Sequence, residues 1–325
     1  MAILNPSALR SRGAAAAERY RSEGRNLVLI YCAVTALLSF CANGLYLYLD
    51  SHIGSTGGLS GLGMRSVLQT VQEVLSYINI FFGPFWSAGF LYAVITMVRG
   101  RTPAVGNLLE GFRRFVRVLG QVMFQIMLMM VLIIAAANLA SVIFSFTPFA
   151  ADFAQKMAPL LNDPAVLAAD GTLDLTKIPM DALLSATWPM LLITGLILAP
   201  LCIWLSYGFR MSVYLVLEQP ISGMRACTES MRLMKGHKWQ LFRMDLRFWW
   251  YHGLGLLIAL VGHADTLLHD LGIPLPMDPT VMFFLCLGAY FVLLTGLFLW
   301  KKCEVDAAYV LAYDAIVRSD AAKHE

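Results

Sequence analysis

Residues 230 to 250 read Ser230-Met-Arg-Leu-Met-Lys-Gly-His-Lys-Trp-Gln-Leu-Phe-Arg-Met-Asp-Leu-Arg-Phe-Trp-Trp250. A Met-rich amphipathic segment reaches a glycine, passes through basic and aromatic residues, and becomes continuously apolar. That order lays a helix along a membrane surface, turns it, and sends the next helix into the bilayer with its cations left among the headgroups. In units 3 or 4 residues apart, Met224, Cys227, Met231 and Met234 form one apolar stripe just upstream, while Arg225, Glu229 and Arg232 lie off it. Such a helix rests on lipid or on the base of a bundle. Arg225, Arg232, Lys235 and Lys238 are then the candidate contacts to an inner leaflet with anionic headgroups.

Outward from this stretch the chain is an all-α, polytopic transmembrane bundle. Hydrophobic residues make up 58% of it and charged ones 14%, a balance that leaves a water-soluble domain with large exposed apolar patches. Six apolar runs are each read as one crossing: Leu27 to Leu49, Val74 to Val98, Val116 to Phe144, Trp188 to Phe209, Leu241 to Val261 and Val281 to Trp300. A helix rising 1.5 Å per residue needs about 20 residues for a hydrocarbon core of about 30 Å. Helices are expected because a backbone in lipid must satisfy itself, and no alternating strand pattern is present. The expected organisation is one transmembrane domain over residues 1–325: an amphipathic segment to 26, the bundle over 27–300, and a tail over 301–325. The polar stretch before Leu27 is too long for a cleaved signal peptide, so the first helix is expected to be retained.

Lys and Arg set the orientation. Of the 24, 21 fall before the first run, from Arg99 to Arg117, from Arg210 to Arg247, and after the last run; only Arg65, Lys156 and Lys177 fall on the other side. The positive-inside rule then places both termini in the cytoplasm. The opposite side is acidic. It includes a Gly- and Ser-rich loop, 51–64, and a larger one, 145–187, where Phe153, Met157, Leu160 and Leu161 recur at helical spacing. A net charge of +3 gives no field for nucleic acid. The six cysteines have no CxxC spacing and none falls in an outer loop, so neither zinc nor a disulfide framework is expected.

On the basic side a theme recurs three times. Pro6, Pro103 (after a Thr102 cap) and Pro220 each open a helix-like segment, and these end at Glu23-Gly24, Glu110-Gly111 and Lys235-Gly236. Proline suits a first helical turn and glycine a reorienting one. Gly83-Pro84 and Pro200 are expected to kink their runs.

These residues resemble a known family. Ser230-x3-Met234-Lys235-Gly236-x-Lys238-x3-Phe242-x2-Asp245-Leu246-x-Phe248, with Phe82-Gly83-Pro84, Gly89, Arg99-Gly100 and Gly111-Phe112, is similar to domain-of-unknown-function family 975 of bacterial integral membrane proteins. Arg247 stands where that family tends to a small hydroxyl residue, and Trp300-Lys301 where it tends to Pro-Tyr. The resemblance implies a multi-helix bacterial membrane protein and lends no catalytic residues.

Between Phe248 and Val261 lie 14 uncharged residues, about 21 Å of helix, so the fifth crossing must draw neighbouring charges toward the membrane. Arg243, Arg247, Asp245 and His252, with Arg210, form the candidate intramembrane polar site. Arg243 and Arg247 share a face and can snorkel, whereas Asp245 needs a cation from elsewhere, with Arg99, Arg117 and Arg210 in reach of the role. His263, Asp265, His269 and Asp270 cluster at a spacing that fits no standard metal motif. Gln72, Glu73, Asn79 and Asn138 are further polar groups within apolar runs. No HExxH, GxSxG or phosphate-binding glycine loop occurs, so no enzyme and no cofactor is expected. The expected role is an accessory or scaffold in a bacterial cytoplasmic membrane, engaging anionic lipid or a membrane-protein partner through its basic face. The alternative is a small-solute or lipid transporter using Asp245 and His252.

Overall fold

A computed structural model describes residues 5–44, 59–161, 180–271 and 277–322. The chain is all-α, and the described residues contain no strand. Most of the glycine-rich loop 51–64 and the middle of the loop 145–187 fall outside the described residues. The helices are α1 (Pro6–Arg19), α2 (Arg21–Ser39), α3 (Leu59–Val98), α4 (Glu110–Arg113), α5 (Phe115–Ser145), α6 (Phe149–Leu161), α7 (Met180–Phe209), α8 (Ser212–Glu218), α9 (Gly223–Leu233), α10 (Lys238–Arg247), α11 (Trp249–Gly262), α12 (Ala264–Asp270), α13 (Pro279–Leu297) and α14 (Cys303–Ala321). A π turn, Phe298–Lys302, joins α13 to α14 without a break in the rod.

Five stretches among the described residues are long and apolar enough to cross a membrane: Arg21–Ala42, Glu73–Val98, Phe115–Ser145, Thr187–Glu218 and Thr280–Ala321. The protein is a membrane protein. The fifth expected run, Leu241 to Val261, is instead two helices that meet at Phe248, whose backbone (φ −105°, ψ 14°) leaves the helical region. The apolar half, α11, has 14 residues and rises about 21 Å. A second break at His263 leads into α12.

Two compact units result, one built of residues 1–122 with 210–325, the other of residues 123–209. In the first, α14 begins beyond the last apolar run and yet is a core helix. Val305, Ala307, Ala308, Tyr309, Val310, Ala312, Tyr313 and Ile316 all lie in the core. Its alanines let α1 come close: a methyl group on Gly13 would sit 2.9 Å from the Ala308 nitrogen. Asn5 caps α1 by accepting from the Ser7 and Ala8 amides at 3.2 and 3.4 Å, and Pro6 fills the first turn as expected. α3 crosses the segment 105–113 at two glycines. An added carbon on Gly89 would lie 1.8 Å from the Leu108 carbonyl oxygen, and one on Gly111 would lie 1.9 Å from that of Phe85. Phe82, Phe85, Phe112 and Phe115 pack around this crossing with ring centroids 4.8 to 5.5 Å apart.

The three basic-side segments differ in detail. Only the third turns on its glycine, Gly236 having φ +87°, which L side chains rarely adopt. In the first, the chain breaks at Tyr20 and Gly24 is buried inside α2. In the second, Pro103 is followed by a 3₁₀ turn, Val105–Leu109, and Thr102 does not cap it. The helix after Pro220 starts at Gly223, capped by Ser222. α3 continues through Pro84 and α7 through Pro200.

The second unit comprises most of α5 with α6 and α7. The sequence spacing over 153–161 does give a helix, and Phe153 of α6 meets Phe144 edge-on at 5.9 Å. Apolar side chains such as Met127, Val131, Ile134, Leu196 and Trp204 are more than half exposed, a surface suited to lipid.

Candidate functional site

α10 is amphipathic in an unusual sense: one face is core and the other is basic and aromatic. Leu241, Met244 and Phe248 are buried to 1% exposure or less, and His237 is buried on the same face. Trp239 is 62% exposed and Leu246 53% exposed, with exposed Arg243 between them one turn from each. The Arg243 guanidinium lies 5.8 Å from the Trp239 ring centre. Arg243 and Arg247 therefore point outward and do not join Asp245, because a helix carrying Asp245 at its flank puts residues two positions away on another face.

Asp245 finds its cation in Arg210, at 3.4 Å, from the chain just before α8. It also accepts a hydrogen bond from the Tyr309 hydroxyl, and Arg210 stacks over the Tyr309 ring at 4.7 Å. The carboxylate thus ties α10 to α14 and to the base of α8. Tyr309 was not legible as a partner: it lies 64 residues downstream in a segment without a motif.

Beside this group is a cavity of about 370 Å³. His252, Arg210, Tyr309, Tyr214, Tyr251 and Lys302 contribute to its wall. Lys302 pairs with Asp306 at 3.1 Å and lies against the rings of Tyr31, Phe90 and Phe298 at 4.7 to 5.5 Å. The structure thus brings Asp245, Arg210 and His252 to one place. Lys302 and Asp306 were not singled out from the sequence; their spacing of one helical turn is the signal that could have found them.

The expected inner-leaflet residues divide. Arg225 and Lys235 are exposed and form no ion pair among the described residues. Arg232 is held at the surface by Glu229 at 2.6 Å and Asp320 at 2.8 Å; those two carboxylates push its guanidinium above an already high pKa. Lys238 is half-buried, and loss of solvent pulls its ammonium below the usual lysine value. The methionine stripe faces protein as much as anything outside: Cys227 and Met234 are buried, together with Ala226, Ser230 and Leu233, while Met224 is 55% exposed. Ser230 accepts from the Met211 amide at 3.1 Å, and Gly223 abuts the backbone at Arg117 and Gln121, so α9 is seated on protein.

Elsewhere, Asn138 donates to its own helix at Ile134, and Glu73 is exposed. The side chains of Gln72, Asn79, His269 and Asp270 lie outside those described. Among the described residues no three His, Cys, Asp or Glu converge as a metal would require.

The chain matches, over residues 20–313, the family model described as protein of unknown function (DUF975). No curated protein and no solved structure matches it. The Gly89 and Gly111 positions that carried the resemblance are the sites where backbones touch, and Asp245, in its Met-Lys-Gly region, is the carboxylate that joins three elements. With the match covering most of its length, the chain belongs to the DUF975 family.

Proposed function

We propose that this protein is a non-enzymatic accessory or scaffold of a bacterial cytoplasmic membrane, with both termini inside, engaging anionic lipid or a membrane partner through α9 and α10. One observation carries this reading: the outward face of α10 presents Trp239, Arg243 and Leu246 directly opposite the buried Leu241, Met244 and Phe248. Tryptophan and arginine side by side suit the level where headgroups meet acyl chains, and exposed Arg225, Lys235 and Arg247 add positive charge nearby. Each such cation near an anionic surface is worth about 1 kcal/mol. Reconstitution in nanodiscs tests this. Wild type is expected to melt higher in phosphatidylglycerol than in phosphatidylcholine, and Trp239→Ala with Arg243→Gln to lose most of that difference. Equal melting of wild type in the two lipids contradicts the reading.

The cavity beside Asp245 and His252 favours a second reading, a small-solute or lipid carrier. A volume of about 370 Å³ falls in the range that holds small ligands. Proton-coupled flux in proteoliposomes, abolished by Asp245→Asn or His252→Ala, is the outcome that would replace the scaffold reading.

A further inference from the structure

A second, larger groove of about 830 Å³ is lined by the C-terminal half of α1, including Glu18, by α2, and by the continuous rod of α13 and α14. α2 and the rod run antiparallel, so their chemistry matches level by level. Along α2 the lining passes from Arg21 and Arg25 to Val28; along the other wall it passes from Gly296, Leu299 and Trp300 to Lys301 and Glu304. The charged ends stand at one level, because the Cys303 thiol reaches the Gly24 carbonyl at 3.9 Å. Likewise, the apolar ends share the other level, about 10 Å away by helical rise. One groove therefore has a cationic lip and an apolar floor.

The lip is not neutral. Arg21 is paired with Glu18 at 3.1 Å, and Lys301 contacts Glu304. Arg25 is exposed and forms no ion pair among the described residues, which leaves one positive charge in excess. Trp300, 63% exposed, flanks the transition from charge to apolar wall, as aromatic residues do at the headgroup boundary. We infer that this groove is a binding site for one anionic phospholipid, its phosphate at Arg25 beside Arg21 and Lys301, and an acyl chain along Val28, Gly296 and Leu299. A zwitterionic lipid offers the same chains but sets its own cation against Arg25. The inference extends the lipid-engaging reading to a surface other than α10, so the two can fail separately.

Two substitutions probe the two ends. Arg25→Gln removes the excess charge from an exposed position. Gly296→Leu puts a side chain into the floor, and its first carbon meets nothing within 4 Å. The full chain is purified in nanodiscs of mixed phosphatidylglycerol and phosphatidylcholine, and retained lipid is counted by native mass spectrometry, with monodisperse elution checking the fold. Wild type is expected to keep one phosphatidylglycerol per chain. Arg25→Gln should lower its occupancy at limiting lipid by about five-fold, the worth of one cation near an anionic headgroup. Gly296→Leu should lower retention of both lipids, Arg243→Gln should leave the bound lipid in place, and inorganic phosphate should not displace it. Wild-type retention by both Arg25→Gln and Gly296→Leu overturns the proposal. So does release by phosphate alone, which would make the lip a free-anion site. Loss of the lipid in Arg243→Gln but not Arg25→Gln moves it to α10, sinking this site and keeping the α10 reading.

Discussion

Gly89→Ala is the substitution for which the structure fixes the consequence most closely. The new carbon would stand 1.8 Å from the Leu108 carbonyl oxygen and 2.5 Å from its carbon. Ordinary contact begins near 3.4 Å, so α3 and the 105–113 segment must part by roughly 1.6 Å, the difference of those two distances. Backbone cannot swing aside as a flexible side chain would. Overpacking of this kind costs about 1–3 kcal/mol or more. Gly111→Ala drives the same two strands of backbone apart from the other side, with its new carbon 1.9 Å from the Phe85 oxygen. Because both act on one crossing, the double variant should cost less than the two singles added together. Gly253→Ala on α11 is the control: nothing lies within 4 Å of the added carbon, and alanine in a helix gains roughly 0.5–1 kcal/mol over glycine. Thermal unfolding in one detergent, followed by fluorescence-detected size exclusion, ranks the three. Lower midpoints are expected for Gly89→Ala and Gly111→Ala, and an equal or higher one for Gly253→Ala. Should Gly89→Ala melt at or above wild type, the crossing does not have this geometry.

Tyr309→Phe removes the hydroxyl donated to Asp245, a hydrogen bond to a charged group worth about 1.5–3 kcal/mol; a double-mutant cycle with Asp245→Asn should show coupling, and strictly additive losses would separate the two side chains. Arg232→Gln breaks a surface bridge from α9 to Asp320 on α14, and a loss of no more than about 1 kcal/mol, shrinking further at high salt, is expected from melting at two ionic strengths. Gly236→Ala forces a side chain into the left-handed region and should cost about 1–2 kcal/mol in the same melting assay, whereas no loss would mean the turn is built differently.

Much of the fold was legible in the sequence because lipid imposes a length: four of the six apolar runs lie within spans of the expected kind, and the first, Leu27 to Leu49, overlaps the span Arg21–Ala42. Reading failed where hydropathy stops being informative. Cys303–Ala321 carries Glu304, Asp306, Asp314, Arg318 and Asp320, so it looks like a solvated segment after the last crossing. In the structure those charges are answered from neighbours, Glu304 by Arg10 at 3.6 Å and Asp320 by Arg232, while the intervening alanines and tyrosines fill the core. The break at Phe248 was written in the charge boundary after Arg247, but a boundary of charge alone does not say that the backbone also turns. At the site, electrostatic need pointed to Arg210 among three candidates for Asp245. Tyr309 and the tyrosine-lined cavity depend on long-range packing that no local pattern records.

Placement of the basic face decides the account. The native Cys227 cannot report on it, being fully buried. A cysteine at position 239, where tryptophan is 62% exposed, can. In cells producing Trp239→Cys with exposed Cys41→Ser, a membrane-impermeant maleimide added outside should leave position 239 unlabelled, and labelling should appear once the membrane is opened. Labelling of that position from outside intact cells would put α10 on the wrong side of the bilayer and contradict the proposal.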